Sequence, residues 1–158
     1  MLAARLQLER YFVEECVFLL SSEVLESLED DAEPQLRAED VHVEVQLGLH
    51  QKDKNRLSCE MVIMQHDSDT ATYPYEFRIA LLGFFELPAK ISAKERELMM
   101  TNSVPSLLYS AAREYLLLLT GRTRYYPLLL PAVRFAQPTE KPTKKRQIAA
   151  KSKVRRAK

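Results

Sequence analysis

The 158-residue sequence predicts an α+β domain in which an antiparallel sheet is covered on one face by helices. Segments that alternate apolar and polar residues come first along the chain, and helical patterns come after them. The connections between the alternating segments are too short for crossover helices, which parallel strands would need. The strands must therefore pair antiparallel, with the following helices packed on their apolar face.

The first strand is expected within residues 6–20. Alternation holds at Leu6 and Leu8 and then slips within residues 10–13, which indicates a strand with a β-bulge or bend. A helix is the competing interpretation. In residues 21–40 acidic side chains dominate, and this composition predicts a mobile acidic connection.

The next two strands form an antiparallel hairpin. Every odd-numbered residue of 41–49 is apolar, which is typical of a half-buried strand. A polar turn at residues 51–55 follows, and residues 57–65 resume the alternation. Val62 and Met64 are apolar on the second face as well, so we expect them to lie in a contact between subunits.

One more strand and two helices complete the domain. Residues 73–85 read as the strand, and an S-x-x-E capping box at residues 92–95 opens a short helix that ends near Met100. In residues 107–119 apolar side chains recur at spacings of three and four, and such a helix must pack between other elements. Gly121 follows, and we expect it to end the helix by adopting the left-handed backbone conformation.

The stretch after the long helix is rich in large apolar residues. Pro127 and Pro131 enclose three leucines and favour extended chain. One interpretation is an ordinary lid over the core. The other is the wall of a groove for extended apolar polypeptide. The residues of this apolar excess are Tyr125, Tyr126, Leu128, Leu129 and Leu130, together with Phe84 and Phe85.

Composition argues against an enzyme and against a bound cofactor. The chain has only three glycines and no nucleotide-binding motif. Cys16 and Cys59 lie in strand-like runs without metal or redox spacing and are expected to be buried free thiols in a reducing cytosol. His42, His50 and His66 occupy polar strand or turn positions, where no catalytic or metal role is expected.

Hydropathy predicts a soluble cytoplasmic protein without membrane insertion. The amino terminus has no targeting pattern, and the longest apolar run, residues 79–85, is far shorter than the ~20 residues that cross a bilayer.

The carboxy-terminal tail is strongly basic. Residues 139–158 carry nine basic residues and one acid, a charge of +8, so the rest of the chain carries −7. A disordered solubilising tail and an electrostatic contact to RNA, the ribosome or an acidic partner are both open interpretations. We therefore expect a domain at residues 1–138 and a separate basic tail at 139–158.

Residues 102–135 resemble the carboxy-terminal part of the SecB export chaperones. The resemblance lies in the helix N-S-V-P-S-L-L-Y-S-A-A-R-E-Y-L, the turn T-G-R-T-R-Y and the segment L-L-L-P-A-V-R-F. With the similar order of strands upstream, it covers residues 6–135. It implies a four-stranded antiparallel sheet with one short and one long helix, dimers joined into a tetramer, and a holdase for protein export that binds unfolded chains without nucleotide.

The resemblance also implies client contacts and partners. Family members engage SecA, the partner that the resemblance implies, through an acidic sheet surface and through their carboxy-terminal ends. The end of this chain is basic, so the resemblance does not extend to SecA binding through the tail. SecB-like proteins also act as dedicated chaperones of antitoxins in toxin–antitoxin systems, which is the alternative to general export. Carried over to matching positions, the client contacts are Tyr11, Phe12, Phe18, Tyr125, Tyr126, Leu128, Leu129 and Leu130.

Overall fold

The computed structural model describes residues 6–21, 36–65, 73, 75–123 and 126–135. Four strands form one antiparallel sheet in the order β1-β4-β3-β2. The strands are β1 (Gln7–Leu20), β2 (Val41–Leu49), β3 (Arg56–Gln65) and β4 (Tyr75–Glu86). The predicted α+β class and all four predicted strands are confirmed.

Strand β1 is a long edge strand with two irregularities. Its pairing with β4 shifts register between Leu8 and Arg10 and again between Val13 and Glu15. Each shift leaves one extra residue on β1, which is the definition of a β-bulge. The slip in alternation was therefore a correct signal for a bulged strand, and the competing helix is excluded.

The two predicted helices are one continuous helical run. Helix α1 (Ala93–Leu98) passes into a π-helical turn (Met99–Ser103) and then into α2 (Val104–Thr120). Proline has no N–H for the carbonyl four residues earlier, and its ring crowds that carbonyl. The wider π turn just before Pro105 accommodates both effects without breaking the helix, so the expected break near Met100 is wrong.

Both ends of the helical run are capped by side chains. At the start, Ser92 Oγ accepts from the Glu95 N–H and Glu95 Oε2 accepts from the Ser92 N–H, so the predicted capping box is confirmed. At the end, Gly121 has φ −64° and ψ −9°, so the expected left-handed glycine is wrong. Instead, the Thr123 N–H and hydroxyl both donate to the Thr120 carbonyl and turn the chain.

The core lies between α2 and one face of the sheet, called here the inner face. Buried residues alternate along β3 and β4, and Leu108 and Leu116 of α2 are fully buried against them. A Cβ at Gly83 would lie 2.8 Å from Phe85 Cε2 and 2.9 Å from Leu108 Cδ1, so a larger residue there would displace these two core side chains. The residues between the buried ones face away from α2 and form the outer face.

Both cysteines are free thiols. Cys59 is buried in the core, and burial raises the pKa of its thiol to about 12; Cys16 is half-buried. None of the helices in the described part of the chain combines the length and apolar content that a membrane crossing requires.

Candidate polypeptide-binding surface

The segment of residues 126–131 runs extended over the core and alternates its side chains. Leu128 and Leu130 are fully buried, whereas Leu129 is 54% exposed and Tyr126 is 42% exposed. Successive side chains of an extended chain point to opposite sides. The segment is therefore a lid on its inner side and an apolar surface on its outer side. The two-residue period of extended chain, applied between the prolines, could have predicted this division.

Side-chain groups hold this segment in place. Tyr75 Oη donates to the Tyr126 carbonyl at 2.7 Å, and Tyr109 Oη donates to the Pro131 carbonyl at 2.8 Å. The Leu128 N–H donates to Thr120 Oγ1 at 2.8 Å, and that hydroxyl donates to the carbonyl of Leu116. The segment thus keeps its shape without pairing to a strand.

One further tyrosine, Tyr73, supports the same anchoring. Tyr73 Oη lies 3.5 Å from the Pro127 carbonyl, and the Tyr73 and Tyr75 rings contact each other with centroids 5.6 Å apart. Burial raises the pKa of Tyr73 and of Tyr109 to about 12. Both hydroxyls therefore remain protonated donors at neutral pH.

The predicted contacts on β1 divide between the two faces of the sheet. Tyr11 pairs with Gly83 and lies on the inner face, whereas Phe12 pairs with Leu82 and lies on the outer face. Phe18 is half-buried on the inner face, and its ring lies 4.6 Å from that of Tyr75.

The structure brings some of the predicted contacts together and separates others. The Phe18 ring and the Tyr126 carbonyl both contact Tyr75, so Tyr75 connects Phe18 with the 126–131 segment. Tyr11 lies further along β1, and Phe12 is on the opposite face. Tyr125 lies outside the described residues, as does the basic tail.

Several exposed apolar residues were not foreseen. The helical run carries leucines that are at least 40% exposed, although we expected the long helix to be packed between other elements. Within the described residues, one side of α2 is packed against the sheet. The exposed leucines of the helical run are Leu98, Leu107, Leu117, Leu118 and Leu119.

Val62 and Met64 lie on the outer face of β3 and are half-buried. Their cross-strand partners on β4 are Ala80 and Arg78. Their role in a subunit contact remains a prediction.

The described histidines have local partners. His42 Nε2 lies 3.2 Å from Glu44 Oε1 on the exposed side of β2, and His50 Nδ1 accepts from two backbone N–H groups of its own turn. His66 is not among the described residues. Within the described ranges no three histidine, cysteine or acidic side chains come together as a metal site.

Comparison with known proteins identifies the fold. No protein-family model matches the sequence, and no curated protein sequence does. The Mycobacterium tuberculosis SecB-like chaperone Rv1957, solved with a ChAD peptide from the HigA1 antitoxin Rv1956, matches with a TM-score of 0.53 at 15% identity. The match covers 82% of this chain and 88% of that one.

A second solved structure, a protein of unknown function from Streptococcus agalactiae, matches at 15% identity over 83% of this chain and all of that one, with a TM-score of 0.47. The likeness to Rv1957 shows that this chain has a SecB-like fold, as the resemblance implied.

Proposed function

We propose that this SecB-like chain is an ATP-independent holdase that binds apolar segments of unfolded or nascent polypeptides in the cytoplasm. The observation that carries the proposal is the exposure of large apolar side chains on both the edge strand and the loop. Tyr11 is 39% exposed, Tyr126 42% and Leu129 54%. Extensive exposed apolar surface on a folded protein is typical of a binding surface.

The apolar surface formed by the inner face of β1 and the 126–131 segment is suited to an extended client. Phe18 packs against Tyr75, which also holds the Tyr126 carbonyl, and Leu129 of the same segment is more than half exposed. A client segment laid there would bury apolar area at about 25 cal/mol per Å², with little dependence on its sequence. The segment is anchored before a client arrives, so less ordering cost opposes binding.

Strand β1 adds a second mode of contact. Because β1 is an edge strand, the backbone N–H and C=O groups along its free edge can pair with another extended chain. Its Tyr11 side chain is exposed on the inner face, where such a chain would meet it. We therefore include Tyr11 with Phe18, Tyr126 and Leu129 in the proposed client surface.

A homo-oligomer, dimer or tetramer, would cover the remaining apolar surface. Leu107, Leu117 and Leu118 lie on the side of α2 turned away from the sheet, and Val62 and Met64 lie on the outer face of the sheet. Packing against further copies would remove both from water. Several client surfaces in one particle would also increase the avidity for a long unfolded chain.

An antitoxin is the alternative client to general export substrates. It is favoured by one observation: the similar SecB-like chaperone Rv1957 was solved with a peptide from an antitoxin. Under this alternative the same surface serves one dedicated partner. Copurification from cells distinguishes the two, since many polypeptides together with SecA would indicate export, and one dominant small protein would indicate a dedicated client.

The functional test is suppression of aggregation of a chemically unfolded client in the absence of ATP. Wild-type protein should protect the client, and Leu129→Ser should weaken protection several-fold. Leu98→Ser is the matched control, because Leu98 is 60% exposed but lies on α1, away from the proposed surface. Light scattering should give the same oligomer for all three proteins. Equal protection by both variants would remove Leu129 from the site, and no protection by wild type would refute the holdase.

Deleting residues 139–158 separates the holdase from an RNA- or ribosome-associated function of the basic tail. The shortened protein should still protect the client. If the protein instead acts through RNA, salt-sensitive RNA binding will be found in the full chain and lost on deletion.

A further inference from the structure

The outer face of the sheet carries a depression of about 630 Å³ at the end where β2 turns into β3. One row of cross-strand partners crosses all four strands there: Arg10 pairs with Phe84, Phe84 with Ser58, and Ser58 with Gly48. The side chains become smaller along this row, so the surface falls away towards β2. A Cβ at Gly48 would lie 2.6 Å from Ser58 Oγ, which means that a larger residue would fill the floor.

On the β1 side, the depression is bordered by the Arg10 guanidinium, which contacts two aromatic rings. The Arg10 guanidinium carbon lies 4.9 Å from the centre of the Phe84 ring and 5.7 Å from that of Phe12, and the two rings meet edge to face. Among the residues that the structure describes, Arg10 has no carboxylate partner. A guanidinium that contacts aromatic rings in this way still has N–H donors for a planar anion such as a carboxylate.

The hairpin wall contributes two more donors. Lys52 borders the depression and forms no ion pair with any described carboxylate. His50 Nδ1 accepts from the N–H groups of Lys52 and Asp53 at 3.3 and 3.0 Å. In the neutral ring the proton must then be on Nε2, which makes that atom a donor.

The third cation of the lining is already neutralised. Arg56 Nη2 lies 3.3 Å from Glu9 Oε1, and Arg56 Nε lies 3.8 Å from Asp53 Oδ2. The depression therefore presents two cations without a described carboxylate partner, on opposite walls, above a floor that falls from Phe84 through Ser58 to Gly48.

From this geometry we propose that the depression binds an acidic polypeptide segment, whose carboxylates pair with Arg10 and Lys52. The row from β1 to β2 spans three strand spacings, about 14 Å, which accommodates about four extended residues. A nucleic acid fits less well, because its affinity depends on many neutralised phosphates and on aromatic stacking, and Glu9 lines the same site. The site lies on the face of the sheet opposite α2 and does not depend on the proposed holdase function.

The test compares two double variants of the full chain that each remove two positive charges. Arg10→Gln with Lys52→Gln removes the site's free cations. Arg78→Gln with Lys54→Gln is the matched control, because Arg78 is on the same sheet and pairs with Glu15 at 3.5 Å, and Lys54 lies in the same hairpin but outside the depression. The probe is a fluorescein-labelled hexaglutamate peptide, and its affinity is read from fluorescence anisotropy.

The first double variant should bind the peptide at least about tenfold more weakly than wild type, since a charge-assisted hydrogen bond accounts for roughly that factor. The control should stay within about twofold. An equal loss in both variants would show general charge attraction, and no loss in either would show that the peptide binds elsewhere; each result overturns the proposal.

Hydrogen exchange locates the contact on the chain. The peptide should slow exchange in residues 48–52 of wild type. Protection confined to residues 139–158 would assign binding to the basic tail and overturn the proposal. Labelled hexauridylate is the second probe; if it binds more tightly than the peptide and loses affinity only in the first double variant, the ligand is nucleic acid and the proposed class is wrong.

Discussion

Strand β1 and the segment of residues 126–131 are both extended and apolar, yet they are stabilised in different ways. β1 is paired along its length with β4 through backbone hydrogen bonds, and some of its apolar residues are exposed on each face, such as Tyr11 on the inner and Phe12 on the outer face. The 126–131 segment is held by side-chain donors and acceptors, and it buries every second leucine. The comparison shows how a folded chain can present apolar surface. In both regions hydrogen bonds hold the backbone, so the exposed side chains are not needed for folding and are available for binding.

The strongest test of this comparison replaces Leu128 and Leu129, two neighbouring leucines of the segment, one at a time. Leu128 is fully buried, so Leu128→Ala should lower the free energy of unfolding by about 2–5 kcal/mol. Leu129 is more than half exposed, and Leu129→Ala should change it by about 0.5 kcal/mol or less. Urea unfolding of both variants measures the difference. Similar losses would mean that the inside–outside division of the segment is wrong.

The anchoring of the segment can be tested at Thr120. Thr120→Val keeps the shape of the side chain but leaves the Leu128 N–H without its acceptor, which should cost about 1–3 kcal/mol of stability. Thr101→Val is the control, because the Thr101 hydroxyl only donates to the Glu97 carbonyl within the helix. If the two substitutions cost the same in urea unfolding, the Thr120 contact does not anchor the segment.

A smaller effect is expected from pH. The pKa of Tyr73 and of Tyr109 is about 12 in the folded chain, above the value of about 10 for an unfolded tyrosine. A raised folded pKa gives stability that is fully present below the unfolded pKa and is lost as pH rises through the folded one. Wild-type stability should therefore decline between about pH 10 and 12.

The double substitution of Tyr73 and Tyr109 by Phe should make this decline shallower, because the variant lacks both titrating hydroxyls. Melting temperatures across that pH range provide the measurement. Identical pH profiles for wild type and variant would show that ionisation of these two hydroxyls does not change the stability of the fold.

The sequence was sufficient for features that depend on local pattern. The alternation in residues 41–49 and the capping box at Ser92 and Glu95 each involve neighbours in the chain, and both appear in the structure as expected. The bulges of β1 were visible as a slip in the same alternation.

Features that depend on distant residues were missed. The helix continues through Pro105 because the π turn and the packing against the sheet outweigh the local tendency to break. The row that includes Arg10, Phe84 and Gly48 joins residues from all four strands, and only the register of the sheet places them together. The single-chain pattern also could not show that one side of α2 stays open, since this depends on what else covers the helix.

The most direct test of the central claim is photo-crosslinking from the segment itself. A photoreactive benzoylphenylalanine replaces Leu129 in one protein and the equally exposed Leu98 in another, and each is irradiated with a permanently unfolded client in the absence of ATP. The client should crosslink from position 129 and not from position 98. Crosslinking of equal yield from both positions, or from neither, would contradict the assignment of the 126–131 segment as the wall of a polypeptide-binding surface.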